Sequence, residues 1–380
     1  MRVASLLAGL AALAAAGPET MPPTRDYLVF VASESADRVA LVRFGPKGIS
    51  IERQRYVGSI PSELAGPHGV AVSPDGMHYF VTTAHGMPFG YLQKYSTATD
   101  SVEGNVALGN FPATVQVSPN GFYVFVSNFN LHGDMVPSSV SVVGADEMVE
   151  IARIETCTMP HGSRLTADGR HHYSTCMMDE TLVEIDTRTM SVSRHFIVAA
   201  GHEAGLSGAP RASAAMSHDI RHGAEAPKPG DASCQPTWAQ PSADGSRIWV
   251  ACNKSSEIVE IDGVSWRMSR RIPAGPGVYN LAVTHDGRRL LATNKRDQSF
   301  SVIDIATGKE LARIVTTRKI VNGVAVSDDD RYAFVSIEGS GAQPGTMDVI
   351  DLTSLTKVAS IDLGQQAGGI DFWKSEQLKP

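Results

Sequence analysis

The chain of 380 residues is 42% hydrophobic and 19% charged, with a formal charge of −7 at pH 7. This length is enough to bury a large core. The mildly acidic balance and the scattered Lys and Arg residues exclude the basic stripe that nucleic-acid binding requires.

The first 17 residues have the composition of a secretory signal peptide. Arg2 precedes an apolar run of Leu and small residues that ends in Ala14-Ala15-Ala16, which predicts cleavage near Ala16 or Gly17. No Cys follows the run, which argues against a lipoprotein anchor. Neither this run nor any later segment is long enough to span a bilayer. We therefore expect a periplasmic or secreted protein whose residues 18–380 form one domain.

A four-residue turn motif recurs along the chain. The copies SPDG, SPNG, TADG, SADG, THDG and SDDD end at Gly76, Gly121, Gly169, Gly245, Gly287 and Asp330, at intervals of 45, 48, 76, 42 and 43 residues. Each copy lies between two apolar strands, with no helical period. The plainest unit, 279–314, has four short strands that cannot bury both faces without neighbours of the same kind. A period of this length is typical of propeller blades.

The repeats predict an all-β fold, a seven-bladed β-propeller. Blade one starts near Asp26 without an inner strand of its own. The C-terminal stretch 367–373 supplies that strand, which closes the ring and removes both free sheet edges. Blades two to seven are predicted at 66–108, 110–155, 157–198, 234–273, 275–315 and 317–364. An insertion at about 199–233, rich in Ala, Gly and Pro, has no strand pattern.

The four cysteines occupy corresponding positions in two consecutive blades. Cys157 and Cys234 precede the first strand, whereas Cys176 and Cys252 end the second strand. In an up-and-down sheet these two points are adjacent, so the pairs Cys157–Cys176 and Cys234–Cys252 are expected to be disulfides in an oxidising compartment. The alternative is thiolate ligation of a soft metal.

The amino-acid sequence of the repeats resembles that of the YVTN-type β-propeller family over about residues 26–374. The equivalents of its signature are Ala292-Thr293-Asn294, Val126-Ser127-Asn128 and the segment Val250 to Asn253. The resemblance implies the fold rather than an activity. The family includes surface-layer-associated and small periplasmic binding propellers. The wider group includes the propeller domains of nitrous oxide reductase and of the d1-haem nitrite reductases, which hold redox sites at the axis.

Seven of the twelve histidines map to one face of the predicted ring. The loops that enter strand one and those that join strands two and three share this face, and the insertion is rooted on it. The seven are His68, His85, His132, His161, His202, His218 and His222. Neutral imidazole is a common ligand of Cu, Fe, Zn and Ni. The pattern therefore predicts a transition-metal site, with copper favoured over iron or zinc.

Each histidine also has a purely structural interpretation. His68 and His161 could donate only to a neighbouring carbonyl in the channel, His85 and His132 could be solvated loop residues, and the insertion histidines could belong to a disordered lid. The copper-site domain of nitrous oxide reductase is a similar His-rich seven-bladed ring, but the second copper domain of that enzyme has no counterpart here. The C-x-x-C-H motif is absent, which excludes covalent haem.

Five further residues on this face are candidates for substrate binding. Lys254, Lys295 and Arg296 could position an anionic substrate, or form a solvated basic rim. Trp238 and Tyr279 could stack on a flat ligand or fill the core. The Asp residues of the repeated turns, such as Asp75, are expected to bond their own backbone and to have no chemical role.

Two functions follow as expectations. The first is a metal-dependent oxidoreductase that acts on a small substrate, which could be an anion. The second is a non-catalytic binding propeller for a small molecule, a metal or a periplasmic partner protein. Because the chain has no nucleophile–base motif, Gly-rich phosphate loop or paired-carboxylate signature, hydrolase and kinase assignments have little support. A lactonase or lyase with a hydrolytic metal is a minor third alternative.

Overall fold

A computed structural model describes residues 21–58, 62–85, 89–210 and 233–377. The predicted signal peptide and two of the predicted metal ligands, His218 and His222, lie outside these ranges. Within them no helix is both long and apolar enough to cross a membrane.

The described chain forms seven antiparallel sheets, which are the predicted blades. In each blade the strands are given from the axis outward. Blade one contains β29 (Ala367–Gln377), β1 (Arg25–Ser33), β2 (Arg38–Gly45) and β3 (Gly48–Tyr56), with a 3₁₀ turn at Glu34–Ala36. Blade two contains β4 (Pro67–Val72), β5 (His78–Thr83), β6 (Tyr91–Ser96) and β7 (Val102–Ala107). Blade three contains β8 (Pro112–Val117), β9 (Tyr123–Asn128), β10 (Pro137–Gly144) and β11 (Val149–Thr158).

The remaining blades follow the same order. Blade four contains β12 (Pro160–Leu165), β13 (His171–Cys176), β14 (Thr181–Asp186), β15 (Ser191–Ile197) and β16 (Ala204–Ser207). Blade five contains β17 (Pro236–Pro241), β18 (Arg247–Cys252), β19 (Glu257–Asp262) and β20 (Arg267–Pro273). Blade six contains β21 (Val278–Val283), β22 (Arg289–Asn294), β23 (Ser299–Asp304) and β24 (Glu310–Val315). Blade seven contains β25 (Val321–Val326), β26 (Tyr332–Ile337), β27 (Thr346–Asp351) and β28 (Thr356–Asp362).

The predicted seven-bladed ring and its closure are confirmed. Each inner strand packs against the inner strands of the two neighbouring blades, and β29 packs between β25 and β4. The closing strand pairs with β1 along its length, from Ser33 opposite Ala367 to Arg25 opposite Gln377. It therefore continues to Gln377, beyond the predicted end at Trp373.

The insertion departs from the prediction in one respect. Its first part forms β16, which pairs with the outer strand of blade four, Phe196 opposite Gly205. Arg271 of blade five also bonds Glu203 beside this strand, at 2.5 Å. The four-residue segment has no alternating pattern of its own, so the pairing is decided by the exposed edge of β15 and this ion pair rather than by local sequence.

The core lies between the blades. Strands alternate their side chains toward the two neighbouring sheets, and large aromatic residues fill the gap. Between blades one and seven, for example, Tyr27 meets Tyr332 edge to face at 5.1 Å and Phe44 meets Phe334 at 6.4 Å. The repeated turns are bonded as predicted: Asp75 accepts from Ser73 Oγ at 2.5 Å and from the Met77 N–H at 2.9 Å.

The residue before every inner strand adopts a left-handed backbone. The seven positions, with positive φ of 51–70°, are Gly66, Phe111, Met159, Gln235, Gly277, Ile320 and Gln366. Left-handed φ is uncommon for non-glycine residues. Because it recurs in all seven blades, this kink belongs to the architecture: it turns the chain from the outer rim into the axis and aims the first residues of each inner strand at the channel mouth.

Both predicted disulfides form, Cys157–Cys176 and Cys234–Cys252. Each joins the approach to strand one to the end of strand two within a blade. The alternative of thiolate ligation by these four residues is therefore wrong, since none of them is free. Blades four and five are therefore each cross-linked by a disulfide, on the face that carries the histidines.

We expect the double variant Cys157→Ser, Cys176→Ser to lose about 3 kcal/mol of unfolding free energy, because each bridge closes a loop of roughly twenty residues in the unfolded chain. Urea unfolding followed by circular dichroism measures this loss. The variant lacking Cys234 and Cys252 should lose a similar amount, since the sequence separations are 19 and 18. Thiol counting on the denatured, unreduced protein should find no free thiol; four free thiols would contradict the pairing.

Candidate functional site

The strand-one starts and the loops between strands two and three meet on one face and enclose a small cavity at the axis. We call it the axial cavity. Its volume is about 50 Å³, and its lining includes His68, Thr114, His161, Trp238, Tyr279 and Asn280. A buried water occupies roughly 10–15 Å³ measured in this way, so the cavity has room for a few water-sized groups.

A carboxylate joins two of the predicted histidines. Glu34, on the 3₁₀ turn between the second and third strands of blade one, contacts His68 Nδ1 and His85 Nε2, each at 2.7 Å. Burial opposes ionisation of Glu34, but the charges and hydrogen bonds of the two imidazoles outweigh it and hold its pKa well below the usual range. The ionised carboxylate can only accept, so both ring nitrogens donate to it.

This contact fixes the orientation of both imidazole rings and the nitrogen through which each bonds Glu34. The hydrogen bond that His85 donates to Glu34 raises the pKa of His85 above its ordinary value, although burial acts against it. With Nδ1 of His68 bonded to Glu34, Nε2 is the ring nitrogen of His68 left for a ligand. Because His68 also lines the axial cavity, Glu34 and His68 form an oriented carboxylate–imidazole pair beside it.

His161 is bonded through both ring nitrogens. Its Nδ1 lies 2.8 Å from the Thr237 carbonyl and must donate to it, so Nε2 accepts from the Tyr279 hydroxyl at 3.2 Å. Burial lowers the pKa of His161 to about 3, and the neutral ring is 2% exposed. The predicted role of His161 as a metal ligand therefore competes with two existing hydrogen bonds, whereas the structural alternative accounts for both nitrogens.

Tyr279 is held from the other side by a cation. Lys295 Nζ lies 4.2 Å from the Tyr279 ring and 2.8 Å from Glu338 Oε1. Asn322 donates to the same carboxylate oxygen at 2.5 Å. Burial raises the pKa of the Tyr279 hydroxyl, which keeps its proton for His161.

Three polar atoms around the axial cavity have no protein partner among the described residues. They are Trp238 Nε1, Asn280 Oδ1 and Thr114 Oγ1. Their residues are only 7%, 5% and 6% exposed. A buried polar atom without a partner costs about 1–3 kcal/mol. The cavity therefore presents one donor, one acceptor and one hydroxyl that a polar ligand or water would satisfy.

The other predicted metal ligands take different positions. The ring of His132 lies 6.0 Å from that of His85, and both pack on Phe111. His202 is exposed in the turn between β15 and β16, at the outer rim of blade four. Across residues 21–58, 62–85, 89–210 and 233–377, no cluster of three or more His, Cys, Asp or Glu has the arrangement of a metal site.

Two of the three predicted cations, Lys295 and Arg296, are engaged by groups of the protein. Lys295 is paired with Glu338. Arg296 donates to the Asn253 carbonyl at 2.6 Å and to the Lys254 carbonyl at 2.9 Å, and so holds the neighbouring loop of blade five. Trp238 and Tyr279, by contrast, both line the axial cavity.

The sequence reasoning missed Glu34, the residue that organises the site. Blade one lacks a copy of the repeated turn because its inner strand comes from the C-terminus, so its loop between strands two and three was not aligned with the others. Glu34 directly follows its second strand, at the place that Lys295 and Glu338 occupy in their blades, and His85 lies one residue further along in blade two. Aligning the ends of the second strands, instead of the turns, would have found it.

Comparison with known proteins shows the fold. Neither a protein-family model nor a curated protein matches the chain. Hydrazine synthase from Kuenenia stuttgartiensis is similar in structure over 81% of this chain and 90% of that chain, with 19% identity and a TM-score of 0.61. A functionally unknown protein from Desulfotomaculum acetoxidans is similar over 91% and 98%, with 13% identity and a TM-score of 0.65. The periplasmic gluconolactonase PpgL from Pseudomonas aeruginosa is similar over 91% and 99%, with 16% identity and a TM-score of 0.65. At these identities the likeness establishes a shared propeller fold and leaves the activity to the site.

Proposed function

We propose that this protein is an exported acid–base enzyme that hydrolyses a small, polar ester or lactone at the mouth of the axial cavity, whose volume of about 50 Å³ admits the reacting carbonyl rather than the whole molecule. The observation that carries the proposal is the Glu34–His68 pair, 2.7 Å apart, beside a cavity with three unpartnered polar atoms. Two disulfides and the apolar N-terminal run support export into an oxidising compartment.

The chemistry assigns a role to each group. His68 Nε2 takes a proton from water, whose oxygen attacks the carbonyl carbon, while Glu34 stabilises the imidazolium that forms. The Trp238 N–H and the Thr114 hydroxyl are donors for the carbonyl oxygen as its charge develops. The C–O ester bond then breaks, and the proton passes from His68 to the departing alcohol oxygen. Asn280 Oδ1 accepts from a substrate hydroxyl.

The substrate class follows from the charges around the cavity. Lys295 and Glu34 are already paired with Glu338 and His68, Arg164 lies at the boundary with the lower part of the channel, and the three buried atoms without a partner are neutral. A neutral molecule with hydroxyls and a carbonyl satisfies them best. Sugar lactones belong to this class, and one of the proteins that share the fold is named as a gluconolactonase.

The test is hydrolysis of a panel of sugar lactones and small hydroxy esters, followed by proton release at constant pH. We expect turnover of at least one member. His68→Gln should lower kcat by about 10²–10⁴-fold, the contribution typical of a general base. His78→Gln is the matched control, because His78 contacts Glu103 at 3.0 Å on the outer part of blade two. Absence of turnover with every member of the panel would refute the hydrolase.

A second candidate is a transition-metal site, which the same carboxylate favours. Metal-binding imidazoles commonly donate their second nitrogen to a carboxylate, as His68 and His85 do to Glu34. His68 Nε2, His85 Nδ1 and the nearby His132 would supply the nitrogens, but they would have to move, because their present arrangement is not that of a metal site. His161 fits poorly because both its nitrogens are bonded. A copper ion held there would supply redox chemistry, and zinc or iron would polarise a bound carbonyl.

Elemental analysis and a visible spectrum of the untagged protein test this second candidate. Stoichiometric metal that disappears in the double variant His68→Ala, His85→Ala, and persists in His171→Ala, His172→Ala, would support it. No bound metal after incubation with Cu, Fe and Zn would exclude it. A protein that binds a lactone without metal and without turnover would instead be the non-catalytic binding propeller.

A further inference from the structure

The axial channel has a second, larger compartment on the opposite face of the ring. We call it the lower chamber; its volume is about 260 Å³. It opens among the repeated turns, since His285 of the THDG turn is part of its wall. The side chains that line both cavities are Val70, Val115, Arg164, Val324 and Ile370. An apolar ring crossed by one guanidinium therefore separates the lower chamber from the axial cavity.

Arg164 is anchored but has unused donors. Its Nε donates to Gln240 Oε1 and its Nη1 to the Ser163 carbonyl, each at 3.1 Å, and its guanidinium lies 4.7 Å from the Trp238 ring centre. Nη2 donates to no acceptor within the described part of the chain, and the guanidinium forms no ion pair there. Guanidinium nitrogens suit a carboxylate in a two-point contact. The anchoring contacts fix the group in place for such a ligand.

A second set of donors lies on the same wall. Gln116, from blade three, also lines the chamber. Its Oε1 accepts from the Leu165 N–H at 2.7 Å, which orients the amide and leaves its NH₂ group for a ligand. Blades three and four thus present donors on one side of the chamber.

The opposite wall carries an acceptor. Asp371 is on the closing strand β29 of blade one, three blades from Arg164, and lines the chamber. Its carboxylate accepts the Val72 N–H at 2.8 Å and the Phe372 N–H at 3.0 Å. It has no ion-pair contact with Arg164. Burial raises the pKa of Asp371 to about 6 and lowers that of Arg164 to about 10, so at pH 7.5 both groups are charged.

Two opposite charges that face each other across a polar cavity without touching define a ligand of matching chemistry. We propose that the lower chamber binds a small amino-acid zwitterion, with its carboxylate on Arg164 and Gln116 and its ammonium on Asp371. A ligand with only a carboxylate would leave the buried charge of Asp371 without a counter-charge. A ligand with only an amine would do the same to Arg164. The volume is slightly below the roughly 300–1,000 Å³ of sites for drug-sized ligands, which suits a molecule of this size.

Isothermal titration of the full protein at pH 7.5, in about 50 mM salt, tests the proposal. Glycine, β-alanine and γ-aminobutyrate vary the distance between the two charges, while propionate and propylamine each carry only one of them. We expect at least one zwitterion to bind at least tenfold more tightly than either singly charged compound. Arg164→Gln and Asp371→Asn should each weaken that binding at least tenfold. Arg164→Lys, which keeps the charge but not the planar fork, replaces Arg164→Gln if the latter does not fold.

Two controls locate the site. Arg170→Gln changes an exposed arginine of the same face whose side chain forms an ion pair with Asp168, and it should leave the affinity unchanged. Glu34→Gln, at the other end of the channel, should also leave it unchanged; loss of binding in that variant would place the zwitterion in the axial cavity and overturn the proposal. Equal binding of propionate and the zwitterions, or no binding by any zwitterion at about 10 mM, would overturn it as well.

Discussion

A chain that ends at Gln366 is expected not to fold into a cooperative unit. The deletion removes β29, the inner strand of blade one, and leaves β1 with an unpaired edge at the axis. It also removes contacts with both neighbouring blades: Phe372 stacks on Phe334 of blade seven at 6.1 Å, and Trp373 Nε1 donates to the Gly76 carbonyl of blade two at 2.8 Å. The loss should exceed the roughly 5–15 kcal/mol that stabilises an ordinary domain.

Thermal unfolding followed by circular dichroism, together with size-exclusion chromatography, measures this effect. The control chain ends at Gln377 and keeps the whole of β29. We expect it to melt as the full chain does, whereas the shorter chain should aggregate or show no sharp transition. A monomeric short chain that melts within a few degrees of the control would show that the ring does not depend on its closing strand.

Replacing Glu34 by Gln is expected to lower the activity strongly while it preserves the fold. The amide has nearly the same shape, but it loses the charge that orients two imidazoles and stabilises His68 when it is protonated. We expect kcat on the panel substrate to fall by about 10–100-fold, as for other residues that position a functional histidine. Glu103→Gln, which breaks the outer His78 contact, should leave kcat unchanged.

The same variant has a signature that does not depend on any substrate. Glu34 raises the pKa of His85, so the titration of the His85 ring protons by NMR should move to lower pH in Glu34→Gln. An unchanged titration would contradict the assigned contact, whatever the activity.

The difference in folding stability between the wild type and Glu34→Gln should depend on pH. The folded protein lowers the pKa of Glu34 from 4.5, so this group contributes stability above about pH 4.5 that is lost as the pH falls through the lowered value. It raises the pKa of His85 from 6.5, so that group contributes fully below about pH 6.5 and loses its contribution as the pH rises through the raised value. The stability difference between the wild type and Glu34→Gln should therefore be greatest between about pH 4.5 and 6.5.

Much of the fold could be predicted because its information is local and repeated. Blades two to seven each have a turn with a Ser or Thr bonded to an Asp or Asn, as at Thr284 and Asp286, and every blade has its own apolar strands. Six copies in register identified the ring and its closing strand. The cysteine pairs followed from the same register, since the start of strand one lies beside the end of strand two in any such sheet. Strand β16 was missed because its pairing is decided by the neighbouring edge.

For the site, the sequence predicted only which face of the ring carries it. Placing His68, His85, His132 and His161 on the same side of the ring required nothing more than strand order. Which of them touch required the tertiary structure, because the contacts join residues far apart in the chain: Glu34 and His85 are separated by 51 positions, and Tyr279 and His161 by 118. The saturation of both nitrogens of His161 could not be foreseen from a Pro-His-Gly motif that it shares with His68.

The sequence by itself determined the number of blades, the closure of the ring, the disulfides and the face on which chemistry gathers, since each follows from a repeat that is read within one blade. Only the tertiary structure decided that Glu34 unites His68 with His85, that three buried polar atoms surround one cavity, and that Arg164 and Asp371 face each other across the channel. The physical reason is that a propeller places the equivalent position of every blade at one axis. The repeat specifies that position, and the side chains brought together there come from different blades, some of which are not neighbours in the ring, as with His161 of blade four and Tyr279 of blade six.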